Sequence, residues 1–271
     1  METQQLNNGL KMPSLGLGVW QSDNGEETIN AIHWALEAGY RHIDTARIYK
    51  NEEAVGKALA TASSVPRDRV WLTTKIWNDD IRQGRTTAAL EESLGRLKTD
   101  YVDLLLLHWP VDGSTRAWQE LERALSAGKV RSIGLSNFMA DDLEEILQAG
   151  DVVPAVNQIE YHPYLVQSEA IAVCDEHDIV ITAWSPLMQG KFLEEPTFAE
   201  IGEEYGKTAA QVVLRWCLQN DVIAIPKSVH KKRIVENGEL FDFELSEEDM
   251  QRIDQLERGH RFGPDPHNFD F

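Results

Sequence analysis

Short runs rich in Val, Ile and Leu recur about every 25 to 40 residues, and between them apolar residues return at helical spacing. The first such run, Leu15–Gly18, precedes a predicted helix over Glu26–Ala38, where Ile29, Ile32, His33 and Leu36 share a side and Gly39 supplies the stop. A strand over His42–Asp44 leads to a helix over Asn51–Ala60. The next pairs are Val70–Lys75 with Thr86–Leu97, Tyr101–His108 with Arg116–Ala127, and Ser132–Leu135 with Asp141–Gln148. After them come Ala155–Glu160 with Ser168–His177, Val180–Trp184 with Thr208–Gln219, and Val222–Ile225 with Glu247–Leu256. A hairpin around Asn8 and Gly9 and a short helix over Lys231–Asn237 fall outside this count.

Eight strand–helix units without a Pro/Ser-rich linker or composition break predict an α/β fold. It is a (β/α)8 TIM barrel with an N-terminal β-hairpin and extra helices, occupying residues 1–271 as one domain. The competing architecture is an open, doubly wound sheet. No G-x-G-x-x-G opens any of the helices, and Gly16 and Gly18 lack both the later glycine and the acidic residue beyond it.

A barrel gathers the C-terminal ends of its strands at one mouth, so polar residues ending different strands become neighbours. Asp44, Lys75 and His108 end the second, third and fourth strands, and Tyr49 follows Asp44 closely. Singly, an Asp at a strand end is more often a helix cap, a Lys a surface charge and a Tyr a packing residue. Together their chemistry is coherent, and burying Asp44 and Lys75 without a purpose would cost several kcal/mol. An ammonium held by a carboxylate stabilises a nearby phenolate, which makes Tyr49 a usable proton donor despite an ordinary pKa near ~10. A neutral His108 beside that hydroxyl can orient a carbonyl oxygen. The sequence shows no nucleophile to attack the carbonyl carbon, and a hydride cofactor would fill that role. A Schiff-base aldolase built on Lys75 is an alternative use of the same mouth.

Composition narrows the partners. Against 45 Asp and Glu stand 26 Lys and Arg, a formal charge of -19 that repels nucleic acid and anionic lipid. The longest apolar stretch, Val102–Trp109, is interrupted by Asp103 and falls far short of the ~20 residues needed to cross a bilayer. Met1–Leu10 carries no secretory pattern, so a cytoplasmic location is expected. Cys174 and Cys217 are too few for a disulfide framework or a zinc site and are expected to be buried thiols.

Three motifs carry a family resemblance. Gly39-Tyr40-Arg41-His42-Ile43-Asp44-Thr45-Ala46, followed by Ile48-Tyr49-Lys50-Asn51-Glu52, resembles the first signature of the aldo-keto reductase superfamily. Gly134-Leu135-Ser136-Asn137-Phe138 and Ile225-Pro226-Lys227-Ser228 resemble the second and third. The likeness runs from Leu6 to Gly263-Pro264-Asp265-Pro266. It is strongest with the microbial branch of glyoxal reductases, 2,5-diketo-D-gluconate reductases and prostaglandin F synthases.

The resemblance implies that Asp44, Tyr49, Lys75 and His108 form a catalytic tetrad with Tyr49 as general acid, and His108 points to carbonyl rather than enone reduction. It further implies that Ser136, Asn137 and Gln158 hold a nicotinamide carboxamide. Trp184 would stack on the ring, where many relatives have Tyr, with Ser185 and Leu187 beside it. Lys227, Ser228 and Arg233 would clamp an adenosine 2'-phosphate, with Glu236 and Asn237 near the adenine. That makes NADPH (NADP+) the expected cofactor. Lys231 and Lys232 read as a solvated helix face. Trp20, Trp77 and Trp109 would surround the substrate, with the short Pro110–Arg116 segment and the tail after Leu256 leaving a shallow, open aromatic cup. The expected protein is a monomeric NADPH-dependent reductase of small carbonyls such as 2-oxoaldehydes, keto sugars or prostaglandin H2. The superfamily also contains slow cofactor-binding redox-sensing subunits, which is the non-enzymatic alternative.

Overall fold

The computed structural model describes residues 2–271. A two-stranded antiparallel hairpin, β1 (Thr3–Gln5) and β2 (Lys11–Pro13), turns at Asn8 and Gly9 as the sequence predicts. Eight parallel strands follow: β3 (Leu17–Gly18), β4 (His42–Asp44), β5 (Trp71–Ile76), β6 (Val102–Leu107), β7 (Val130–Ser136), β8 (Val156–Glu160), β9 (Val180–Trp184) and β10 (Ile223–Ala224). Each pairs with the next in sequence order. Bridges from Leu15 to Ala224 and from Gly18 to Lys227 join the first and last strands and close the barrel. At that seam a Cβ on Gly18 would stand 2.9 Å from the Ile225 carbonyl oxygen, so only glycine lets the two chains meet.

The helices are α1 (Glu26–Glu37), α2 (Glu52–Thr61), α3 (Asn78–Arg82), α4 (Thr86–Leu97), α5 (Ser114–Ser126), α6 (Ala140–Ala149), α7 (Ser168–Glu176), α8 (Pro196–Tyr205), α9 (Ala209–Gln219), α10 (Lys231–Gly238) and α11 (Glu247–Asp254). Helices α3 and α8 were not expected. Yet α8 carries legible punctuation: Glu195 caps it, Pro196 occupies its first turn and Gly206 ends it in the left-handed region. Among the described residues no helix is long and apolar enough to cross a membrane.

Strand alternation gives the barrel its polarity. On β5, Leu72 and Ile76 join the shell between sheet and helices, whereas Trp71 faces the interior with Leu104 and Leu106 of β6. Leu6 and Met12 of the hairpin pack on this inner cluster and plug the end of the barrel opposite the strand C-termini. Lys75 lies four residues beyond Trp71, on the same face, at the other end. Cys174 and Cys217 are buried free thiols, and burial pushes the Cys174 thiol up to about 12.

His42 gives the barrel an acid-sensitive element. Its Nε2 meets Thr73 Oγ1 at 3.1 Å, its buried Nδ1 has no partner, and a Cβ on Gly16 would sit 2.5 Å from that Nδ1. Burial, helped by the Lys75 charge, lowers its pKa to about 3. The folded protein therefore holds His42 neutral while the unfolded chain protonates it below ~6.5, so stability is lost as pH falls. From this group alone the loss should reach about 2 kcal/mol at a pH of about 5. Chemical denaturation at intervals from neutrality to that pH should show the decline, and His42→Asn should flatten it.

Candidate active site

Asp44 is the last residue of β4, Lys75 lies near the end of β5 and His108 follows β6 directly, so strand geometry alone brings three of the groups to one rim. Tyr49 arrives on the single-turn 3-10 helix Arg47–Tyr49. That turn is pinned from outside, where Arg47 pairs with Asp80 at 2.9 Å and Glu92 at 2.7 Å. It is pinned from inside by Asn51, which accepts from Thr45 Oγ1 and donates to the Val19 and Ser22 carbonyls.

Lys75 is the hub. Its ammonium donates to Asp44 Oδ1 at 2.5 Å, the Thr45 carbonyl at 2.9 Å and the Tyr49 hydroxyl at 3.3 Å. Those three bonds use all three ammonium protons. The side chain is fully buried. Burial alone would lower the lysine pKa, but the Asp44 charge and the Tyr49 hydroxyl outweigh it and hold it raised. A Schiff base needs the neutral amine, so this environment disfavours the aldolase alternative. The second Asp44 oxygen accepts from Gln158 Nε2 at 2.8 Å, which fixes the carboxylate from the far side of the barrel.

The Tyr49 hydroxyl accepts from Lys75, leaving its own proton available to a ligand. Burial raises its pKa and Asp44 adds to this, while the ammonium pulls the other way without prevailing. His108 packs edge-on to Tyr49, ring centroids 5.7 Å apart, and to Trp77 at 5.2 Å. Burial first, and then Lys75, drive its pKa well below the ordinary value, so the imidazole is neutral at physiological pH.

Beside this group, Ser136, Asn137, Gln158 and Trp184 form one interlocked set. Asn137, in the left-handed region, donates from Nδ2 to the His108 carbonyl and Ser136 Oγ, and its Oδ1 accepts from Trp184 Nε1 at 2.8 Å. Ser136 Oγ in turn donates to the Gln158 carbonyl. The amide protons of Asn137 are thus already committed within the protein, whereas Gln158 Oε1 receives no hydrogen bond among the described residues. Ser185, also left-handed, and the half-buried Leu187 follow Trp184 on the same rim.

Across the barrel seam, Lys227 and Arg233 are exposed and form no ion pair among the described residues. Ser228 is buried between them in sequence, with its hydroxyl turned to the His230 backbone. Asn237 is buried and Glu236 half-buried on α10. Lys231 and Lys232 are solvated, at 3.6 Å from Glu37 and 3.9 Å from Glu236.

The substrate side departs from the expected open cup. Trp20 is 50% exposed at the rim. Trp77 and Trp109, however, are covered by the returning tail. The Phe271 ring stacks on Trp77 with centroids 5.6 Å apart and meets Trp109 edge-on at 5.1 Å, and Phe269 lies 5.0 Å from Trp109. Asn78 and Arg82 hold the Phe271 carbonyl oxygen at 3.2 and 3.0 Å. Removing these rings from water favours the return. A tail without periodicity gave no sequence signal for it.

The Aldo/keto reductase family profile matches residues 14–258. The chain is 47% identical to a glyoxal reductase of Bacillus subtilis over 266 residues, 98% of this chain and 96% of that one. It is 46% identical to a methylglyoxal reductase of Salmonella typhimurium, over 98% of this chain and 97% of that one. An aldo-keto reductase of Bombyx mori solved in complex with NADP superposes with a TM-score of 0.89 at 35% identity, covering 96% and 94% of the two chains.

Proposed function

Since the chain belongs to the aldo/keto reductase family and is therefore an oxidoreductase using a nicotinamide cofactor, we propose that it is an NADPH-dependent reductase of small aldehydes and ketones. In this reading Tyr49 is the general acid. The observation that carries the proposal is the buried Asp44–Lys75–Tyr49 chain beside a neutral imidazole.

The chain's own residues suit NADPH. Lys227 and Arg233 supply unengaged positive charge in a protein of formal charge -19, as a dianionic phosphate requires. Ser228 would add a hydroxyl, with Glu236 and Asn237 toward the adenine. Gln158 Oε1 is the free acceptor for a carboxamide, and Trp184 offers an indole face for stacking. Asn137 acts here mainly by holding Trp184 and the His108 backbone, and Ser136 by linking Asn137 to the Gln158 carbonyl, with Ser185 and Leu187 bordering the ring.

The chemistry a bound NADPH supplies is a hydride for the carbonyl carbon. Tyr49 donates a proton to the carbonyl oxygen as charge develops there, and Lys75 stabilises the phenolate left behind. Asp44, fixed by Gln158, keeps the ammonium in place. Neutral His108 hydrogen-bonds the same oxygen and turns the carbonyl toward the tyrosine. Trp77 and Trp109, with Phe269 and Phe271 between them and solvent, and the exposed Trp20 at the rim form an apolar slot for compact substrates. The glyoxal and methylglyoxal reductases similar to this chain point to 2-oxoaldehydes, whose carbonyl is already electrophilic.

Initial rates of NADPH oxidation with methylglyoxal, aromatic aldehydes, a keto sugar and prostaglandin H2 test the proposal. Methylglyoxal should rank among the better substrates, and no NADPH oxidation with any of them would overturn it. Charge-assisted hydrogen bonds contribute ~1.5 to 3 kcal/mol each, so NADPH should bind at least ~10-fold more tightly than NADH. Arg233→Ala should weaken NADPH much more than NADH in fluorescence titration. Equal dissociation constants for the two cofactors in the wild-type protein would remove the 2'-phosphate assignment.

A further inference from the structure

Glu160 is a fully buried carboxylate that the proposed chemistry does not use. It ends β8 and is register-paired with Trp184 at the end of β9. Its side chain accepts from the Phe262 amide at 2.7 Å and from the Gly263 amide at 3.2 Å to each oxygen. His162 Nε2 lies 3.0 Å away and Arg261 Nη1 4.0 Å away. Arg261 also donates to Gln167, which itself donates to the Glu160 carbonyl. One buried acid therefore grips two consecutive backbone amides of the tail, and the neighbouring side chains close the grip.

The gripped backbone lies against Trp184. A Cβ on Gly263 would collide with Cη2 of the indole and come within 2.8 Å of Cζ3. The opposite end of the same indole is tied through Nε1 to Asn137. Trp184 is thus confined at both ends, by a hydrogen bond at its pyrrole edge and by bare glycine backbone at its benzo edge. The glycine backbone is held there by a carboxylate.

We propose that Glu160 and Gly263 are positioning residues for the cofactor: Glu160 fixes the 262–263 backbone, and that backbone sets the orientation of Trp184 and so the seat of the nicotinamide. The consequence for the cofactor rests on the reading of Trp184 as its stacking partner. The confinement of the indole does not, and the two separate in experiment. In the full-length protein labelled with 15N, the indole N–H signal of Trp184 is the one lost in Trp184→Phe. Without cofactor, Gly263→Ala and Glu160→Ala should shift or broaden that signal more than any other indole signal, and Glu160→Gln, which keeps an acceptor, should restore it toward its wild-type position.

With cofactor, Gly263→Ala should raise the NADPH dissociation constant ~10-fold, the scale of one aromatic stacking interaction. In a Trp184→Phe background, where the colliding indole atoms are gone, Gly263→Ala should have little further effect. An unmoved Trp184 signal in Gly263→Ala overturns the positioning claim even where Glu160→Ala fails to fold. The same NADPH loss in both backgrounds overturns it equally. Wild-type protein that does not bind NADPH would instead overturn the cofactor reading, and the cofactor-free spectra would still decide the confinement of the indole.

Discussion

Tyr49→Phe is expected to fold, to bind NADPH as tightly as wild type and to lose at least ~10²-fold in kcat for carbonyl reduction, the lower bound of what a positioned general acid contributes. The substitution removes one hydroxyl and keeps the ring that His108 packs against. It leaves the Lys75 contacts to Asp44 and to the Thr45 carbonyl intact, so the buried ion pair survives. The pH dependence supplies an independent sign. Reduction needs the protonated phenol, whose pKa is raised by burial, so the rate should hold through neutrality and fall only above the ordinary tyrosine range. Alcohol oxidation needs the phenolate and should rise with pH over the same interval. His108, held neutral, should add no inflection near its ordinary value of ~6.5. Wild-type-like reduction by a folded, NADPH-binding Tyr49→Phe protein would assign the proton elsewhere, with His108 next in line.

Lys75→Met should damage both stability and turnover, by separable routes. Methionine fills similar space but leaves the buried Asp44 carboxylate, among the described residues, with Gln158 as its one remaining side-chain partner. Removing one member of a buried ion pair typically costs about 3 to 5 kcal/mol because the other charge is left uncompensated. Denaturant titration should show a loss on that scale. Turnover should fall as far as in Tyr49→Phe, since no ammonium remains to stabilise the phenolate. Adding Asp44→Asn removes the stranded charge, so the double variant should regain much of the stability and none of the activity. Equal stability of the single variant and wild type would overturn this account of the Asp44–Lys75 pair.

The order of elements was readable because burial imposes a local period. Strand residues facing both core and helices are continuously apolar, as at Leu104 to Leu107, and helices α4 and α9 show their buried stripes in sequence. The predicted bounds of the strand His42–Asp44 and of the helix Thr86–Leu97 coincide with β4 and α4. The predicted strand Val180–Trp184 likewise coincides with β9, and in the other elements the ends move by one or two residues, since a strand end depends on its partner's register. The first strand shrinks to Leu17–Gly18 because Leu15 spends its pairing on the seam to Ala224.

The four residues at the mouth could be named from sequence for a related reason. A parallel barrel places every strand's C-terminus on one rim, so topology substitutes for long-range information. Which atoms meet there was not readable. Gln158 looked like a pure cofactor contact and instead also holds Asp44; Asn137 looked the same and spends its side chain on Trp184, Ser136 and the His108 carbonyl. The folded-back Phe269 and Phe271 and the grip of Glu160 on residues 262–263 lie further still from any local pattern. Fold class, element order and the polar groups at the rim were determined by the sequence by itself, because they follow from side-chain periodicity and chain direction. The neutral state of His108, the cover of Phe269 and Phe271 over Trp77 and Trp109 and the confinement of Trp184 were decided only by the tertiary structure, because each depends on burial and on contacts between segments far apart in the chain.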